Sequence, residues 1–289
     1  MNINHKSLKK FEKIILFFLK IFNFFIKKNS IRVLVYHHIK KDNFHKFENQ
    51  IYMLRKNWNF ITPNEFESHI SGKKKLFGKN LLITFDDGFK SNFVVAKNIL
   101  NKHNIKAIFF VPSDFIQIES KNLAKNFAKK NILDEIDNDD IENIDNLSLK
   151  NLEELIKEGH LIGCHTKTHL HLGSTSNEEL LKEEIIESLK KLEELLKIKI
   201  THFAFTYGDF KSMNLKSLAM ALTKYNFIYS CLRGSNFYNK EKTIIKRDTV
   251  YLNESNDLLK IFLSGFADLG YLLQINKINR MIKNAIDKS

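Results

Sequence analysis

NLLITFDDGFKSN, residues 80–92, decides how this chain is read. An apolar run with the length and make-up of a buried strand ends in two adjacent carboxylates, Asp86 and Asp87, followed by Gly88. Neighbouring carboxylates repel, and burying either one without a partner is costly, so a positive group has to stand beside them.

Outward from this stretch, strand and helix patterns alternate. IRVLVYHHI (31–39) predicts a strand, and Phe44, Phe47, Ile51 and Leu54 then recur at helical steps. A helix is expected over about 91–103, ending near His103 and Asn104, followed by a strand in IKAIFFVP. Residues 114–147 are polar and increasingly acidic, which reads as an inserted excursion rather than a domain boundary. LSLKNLEELIKEG is a helix capped by Ser148 that stops near Gly159 and leads into HLIGCHTKTH. SNEELLKEEIIESLKKLEELLK is a long amphipathic helix begun by Ser176 or Asn177. ITHFAFTYG reads as a strand, 214–225 as a helix, and NFIYSCL and TIIKRDTVYL as strands. The alternation implies a mainly parallel sheet, and this many units can close into a barrel. Chemistry in such sheets gathers at the carboxyl ends of the strands, where Asp86 and Asp87 fall.

The composition bounds the rest. A chain of 289 residues with 43% hydrophobic residues and 25 Phe buries a large core, as one α/β domain or two small ones. The net charge of +13 is carried almost wholly by Lys, since Arg occurs only at positions 32, 55, 233, 247 and 280. Nucleic-acid surfaces draw on Arg forks, so that partner is not expected, whereas diffuse Lys suits an anionic membrane surface. Two cysteines, Cys164 and Cys231, form no CxxC or disulfide framework and favour a reducing compartment.

FEKIILFFLKIFNFFIKK, 11–28, is the most apolar part of the chain, with Lys13, Lys20, Asn23 and Lys27 on one narrow stripe of a helix. The stripe suits a helix lying in a membrane interface. A secretory signal or signal anchor and a helix packed on its own domain are the two other readings. A spanning helix would need about 20 mostly apolar residues, more than this interrupted run supplies.

The positive partner for the carboxylates has a candidate. GCHTKTHLHL offers His165 and His169, four apart, with His171 beyond them. Two neutral imidazoles and one carboxylate are a common set for a catalytic divalent ion.

TFDDG (84–88), HTKTH (165–169) and FAFTYG (203–208), in that order, resemble the motifs of the polysaccharide deacetylase family, the NodB-homology carbohydrate esterases, from about residue 31 to at least 250. The resemblance implies an irregular (β/α) barrel of about seven strands over 31–289, and the polar stripe in 11–28 places an amphipathic helix before it, in 1–30. It implies that Asp86 is the general base, that Asp87, His165 and His169 hold the metal, and that the main-chain N–H of Tyr207 helps hold the oxyanion. Thr206 stands where relatives carry Pro, and the family's late Leu-x-His is missing because no histidine follows His202. One branch takes its general acid from a Tyr-His motif on the first strand instead, and VLVYHHI matches it, implying His37 as the acid. His38 is expected to face away by strand alternation. Arg247, where this branch tends to carry Arg, is expected either to hold Asp86 or to form a plain structural ion pair. Cys164 is expected to point into packing, and His103, His160, His171 and His202 to lie outside the ligand set.

The implied activity is hydrolysis of an N-acyl group on an amino sugar, with zinc as first choice of metal and iron, cobalt or manganese also suited. The expected partners are an acylated amino-sugar glycan, lipid-linked by the argument from 11–28, and a membrane surface, on the cytoplasmic face of an inner membrane or else its periplasmic side. Two rivals stand beside it: an inactive family member that binds a glycan or scaffolds a synthase, and a basic membrane-surface protein with a structural metal.

Overall fold

The computed structural model describes residues 30–132, 143–239 and 242–287. The apolar stretch 11–28 lies outside the described residues.

Strands β1 (Ser30–Tyr36), β2 (Asn59–Phe60), β3 (Lys79–Phe85), β4 (Ala107–Val111), β5 (Leu161–Cys164), β6 (His202–Ala204), β7 (Phe227–Tyr229) and β8 (Asp248–Thr249) form one sheet. Its order is β7-β6-β5-β4-β3-β1-β8, all parallel, with β2 beside the start of β3. The segment around Ile245 brings the two edges together. Ile245 bridges Tyr229 of β7, and Asp248 and Thr249 pair with β1. This is the expected irregular barrel.

Alternation along the strands sorts two cores. Ile31, Val33, Leu82, Ile108, Phe110, Ala204 and Tyr229 fill the inner side of the barrel. Leu34, Leu81, Ile83, Phe85, Phe109 and Phe203 face outward beneath the helices. Gly163 has to be glycine, because a Cβ there would sit 2.4 Å from the Phe110 ring inside the barrel.

The outer layer comprises α1 (Phe44–Arg55), α2 (Pro63–Ile70), α3 (Lys90–Val95), α4 (Lys121–Asn131), α5 (Leu149–Lys157), α6 (Glu178–Lys182), α7 (Ser188–Leu196), α8 (Leu215–Lys224), α9 (Asn256–Leu263) and α10 (Leu272–Ile286). Helices α6 and α7 are one rod interrupted by a wide turn at 183–187, capped by the Asn177 side chain as expected. Ser148 caps α5 through a reciprocal pair with Asn151.

Two readings of the sequence need correction. The strands expected in ITHFAFTYG, NFIYSCL and TIIKRDTVYL are short, two or three residues each, because loops that carry polar side chains into the site take over beyond them. The excursion at 114–147 is more than a polar loop. Its described part contains α4 and, with Phe89, a satellite core of Phe115, Ala124, Ala128, Ile132 and Ile144. Beyond residue 250, α9 and α10 dock on the barrel, tied by buried Arg32, which reaches Asp248 at 2.8 Å and Asp268 at 2.7 Å.

Candidate active site

Strand parity assembles the site. Leu82 faces the inner core, so Thr84 and Asp86 follow on the same side at the carboxyl end of β3. Gly163 lies against inner Phe110, so His165 follows it inward from β5. The two segments meet through β4, whose Val111 carbonyl accepts the His165 N–H at 3.0 Å.

Asp87, His165 and His169 are buried and converge, with one ligand atom of each within 4.8 Å of the others. Asp87 Oδ1 lies 3.4 Å from His165 Nε2 and 3.3 Å from His169 Nε2. The other ring nitrogens are already committed. His165 Nδ1 donates to the Ala204 carbonyl at 2.9 Å, and His169 Nδ1 donates to the Asn131 carbonyl at 2.8 Å. A neutral ring that spends its hydrogen in this way presents a bare Nε2. Three lone-pair donors then face one another with no hydrogen between them, an arrangement that a divalent cation satisfies. The donor set therefore fits a metal. Burial opposes ionisation of Asp87, yet the facing His37, His165 and His169 rings hold its carboxyl well below the usual carboxylate range. Burial likewise opposes a charged His169, and Asp87 with the Asn131 carbonyl more than offsets it, raising the ring's pKa, so Asp87 draws positive charge to Nε2, a proton where no cation is bound.

Beside this group stands Asp86. Arg247, fully buried, grips it with both arms, Nη1 to Oδ1 at 2.7 Å and Nη2 to Oδ2 at 2.8 Å, while its Nε donates to the Ser230 carbonyl at 3.0 Å. The Arg247 guanidinium pays for its burial with this pairing, which keeps its pKa above the ordinary value. Asp86 lies 3.9 Å from His165 Nε2, so the two carboxylates share one cluster of rings.

His37 follows Tyr36, whose carbonyl accepts the Asp86 N–H at 2.9 Å, and its ring acts electrostatically on Asp87. Because β1 ends at Tyr36, strand alternation does not govern His37 and His38. Side chains of α3 orient them instead. Asn92 Nδ2 donates to the His37 carbonyl at 2.9 Å, and Ser91 Oγ holds both His38 Nδ1 (2.9 Å) and the Ile39 N–H (3.2 Å). His38 packs edge-on against Phe89.

Tyr207 sits at the mouth, its ring 5.1 Å from both His169 and His171. The buried Thr206 hydroxyl donates to the Leu170 carbonyl at 2.6 Å, tying the third motif to the second, a bond that Pro could not make. Four of the six non-glycine residues with positive φ among those described are Asp87, Thr166, His169 and Tyr207. Backbone strain of this kind persists where surrounding structure enforces it and clusters at functional sites.

Several supporting residues escaped the sequence reading. Buried Glu184 accepts from the Lys167 N–H (2.9 Å), the Thr168 N–H (2.9 Å) and the Thr168 hydroxyl (2.6 Å), pinning the HTKTH loop. Its signal was legible: an acid among Leu181, Ile185 and Leu189 on the apolar face of a helix. Asn131, Ser91 and Asn92 gave no comparable signal. Cys164 points into packing as expected, outward beneath α7 with its Sγ 3.2 Å from Ser188 Oγ. His160 and His202 are buried framework, His202 held between Glu67 (2.6 Å) and the Tyr229 hydroxyl (2.8 Å).

Fold and site together define a (β/α)-barrel protein with a candidate metal centre at the carboxyl ends of its strands. The chain belongs to the polysaccharide deacetylase family, whose model matches residues 73–225. It is similar to YxkH of Bacillus subtilis, 25% identical over 197 residues that make up 66% of this chain and 61% of that protein. It is also similar to the poly-beta-1,6-N-acetyl-D-glucosamine N-deacetylase of Staphylococcus aureus, 28% identical over 232 residues, 70% of this chain and 72% of that one. Among solved structures, IcaB from Ammonifex degensii shares the fold with a TM-score of 0.65 at 22% identity, covering 82% of this chain and 97% of that one. PplD of Streptococcus pyogenes does so with a TM-score of 0.63 at 21% identity, covering 81% and 98%.

Proposed function

We propose that this protein is a metal-dependent deacetylase that hydrolyses the N-acyl group of an amino sugar in a glycan. The observation that carries the reading is the meeting of Asp87 Oδ1 with two bare imidazole nitrogens beside an arginine-held second carboxylate. Family membership and the similarity to an N-acetylglucosamine polymer deacetylase support the substrate class.

Asp87, His165 and His169 hold the divalent ion, with zinc the first choice and iron, cobalt or manganese also suited to the set. When bound, such an ion polarises the acyl oxygen and acidifies water, as Lewis acids do. Asp86, fixed by Arg247, accepts the proton of the attacking water. The main chain at Tyr207, presented by its left-handed backbone, stabilises the oxyanion. His37 gives its proton to the departing amine, which leaves poorly as an anion. Glu184, Asn131 and Ala204 keep the two ligand rings oriented.

In the same reading the protein works at a membrane, on the cytoplasmic face or else the periplasmic one, with 11–28 as its interfacial segment and 31–289 as the catalytic domain. Acetate release from acetylated glucosamine oligomers, free and lipid-linked, with metals added back after chelation, tests it. Turnover that needs the metal and vanishes in Asp86→Asn supports the assignment; release that survives both treatments ends it.

A further inference from the structure

The end of the barrel opposite the site carries an unusual surface. After α2 the chain runs through Gly72–Gly78, GKKKLFG, with Lys73, Lys74 and Lys75 exposed and Phe77 66% exposed. The loop is firmly built. The Lys73 and Lys74 N–H groups both donate to the Ser68 carbonyl, at 2.8 and 3.0 Å, and the Leu76 N–H donates to His69 Nδ1 at 3.0 Å. Asn80 Nδ2 donates to the Phe77 and Gly78 carbonyls at 3.1 and 3.2 Å. Tyr238, 49% exposed, lies flat against Gly72, where a Cβ would meet its ring at 2.6 Å, and Phe237 beside it is 40% exposed. The two segments line one groove of about 380 Å³.

A charged loop is ordinarily just a solvated face. Here, however, three consecutive lysines adjoin the exposed aromatic side chains of Phe77, Phe237 and Tyr238. Among the described residues the one acid within ion-pair reach of these lysines is Glu65, 3.8 Å from Lys74, with both partners well exposed. The chain also enters at this rim. Ser30, the first described residue, pairs with Lys79, and in the sequence it follows shortly after the apolar, lysine-striped stretch 11–28. Among the described residues no single helix is long and apolar enough to cross a membrane.

We propose that this rim, formed by Lys73, Lys74, Lys75, Phe77, Phe237 and Tyr238, docks on an anionic lipid bilayer. The lysines meet lipid phosphates while the aromatic rings enter the headgroup layer, as basic-aromatic surfaces do. Docking at this end points the catalytic end away from the membrane. Residues 79–85 of β3 separate the two, and at about 3.3 Å per residue Asp86 stands about 20 Å above the lipid. Resting on the deacetylase reading, this geometry sets the substrate as an amino sugar far along a glycan chain. The sugar next to a lipid phosphate lies out of reach.

Vesicle partitioning of the full chain tests the docking independently of catalysis. Replacing Lys73, Lys74 and Lys75 together by Gln should lower the partition coefficient onto phosphatidylcholine vesicles containing phosphatidylglycerol by about a hundredfold, at about fivefold per lysine. Partitioning onto pure phosphatidylcholine and acetate release from soluble oligomers should not change. A second variant, Phe77→Trp in a Trp58→Phe background, should be quenched by brominated acyl chains. Equal partitioning of the triple variant and the parent, or an unquenched Phe77→Trp, overturns the proposal. If no protein releases acetate while the vesicle results hold, the deacetylase reading fails and the docking surface stands.

Discussion

Replacing Arg247 by Met in metal-free protein should be severely destabilising, and the structure gives the size of the effect. Arg247 is fully buried and holds both oxygens of buried Asp86 at 2.7 and 2.8 Å. Its Nε adds a bond to the Ser230 carbonyl at 3.0 Å. Removing one member of a buried, bidentate pair leaves an uncompensated charge, which costs about 3–5 kcal/mol. For a domain of this size that corresponds to a drop in Tm on the order of 10 °C. Removing both charges is a different matter, because an uncharged replacement of a buried pair is often nearly neutral. The double variant Arg247→Met/Asp86→Asn should therefore recover most of the lost stability while remaining inactive. Urea unfolding of the four proteins of this cycle measures the coupling directly. A single variant that loses less than about 1 kcal/mol, or a double variant no more stable than the single, would refute the view that Asp86 is a charge held in place by Arg247.

His37→Ala should lose about 100-fold or more in amide hydrolysis yet retain most activity toward an activated aryl acetate, whose leaving group needs no proton; equal losses on both substrates would remove the general-acid role. Glu184→Ala frees the loop that carries both proposed ligand histidines and should weaken metal affinity about 10- to 100-fold without altering the far-ultraviolet circular dichroism. Burial, with a smaller contribution from Lys106 and Lys97, lowers the His160 pKa to about 4, and its Nδ1 accepts the Ala107 N–H at 3.1 Å, so the ring is neutral when folded. The unfolded chain binds the extra proton between its ordinary value and that lowered one, so the contribution is complete above about pH 6.5 and falls away toward pH 4, by about 3 kcal/mol. Unfolding free energies of the parent and His160→Asn should converge as the pH drops through this window, and parallel curves would contradict the argument.

Much of this was readable in the chain. The strands ending in Tyr36 and Phe85 are β-branched or aromatic runs, and TFDDG with HTKTH supplied one carboxylate and two rings at the ends of the two strands that flank β4. Local pattern could not reveal which distant groups orient those rings. Asn131 serves His169 through its carbonyl, a group every residue has, so nothing in its identity marks it. Asn92 and Ser91 act on the His37 loop across more than 50 positions, through contacts that only the folded barrel brings about. Glu184 was visible as an acid on an apolar helix face, but its target was not. Thr206 looked like damage to a motif and proves to be a different way of tying the same loop, by a hydroxyl bond to Leu170. The left-handed backbone at Asp87, His169 and Tyr207 has no sequence signature, because none of the three is glycine.

Calorimetric titration of chelator-stripped protein with zinc tests the central claim most directly. One ion should bind per chain of the parent and of Asp86→Asn, and binding should be lost in His165→Ala and in Asp87→Ala. Undiminished, equally tight binding in those two variants would mean that Asp87, His165 and His169 do not form the metal site.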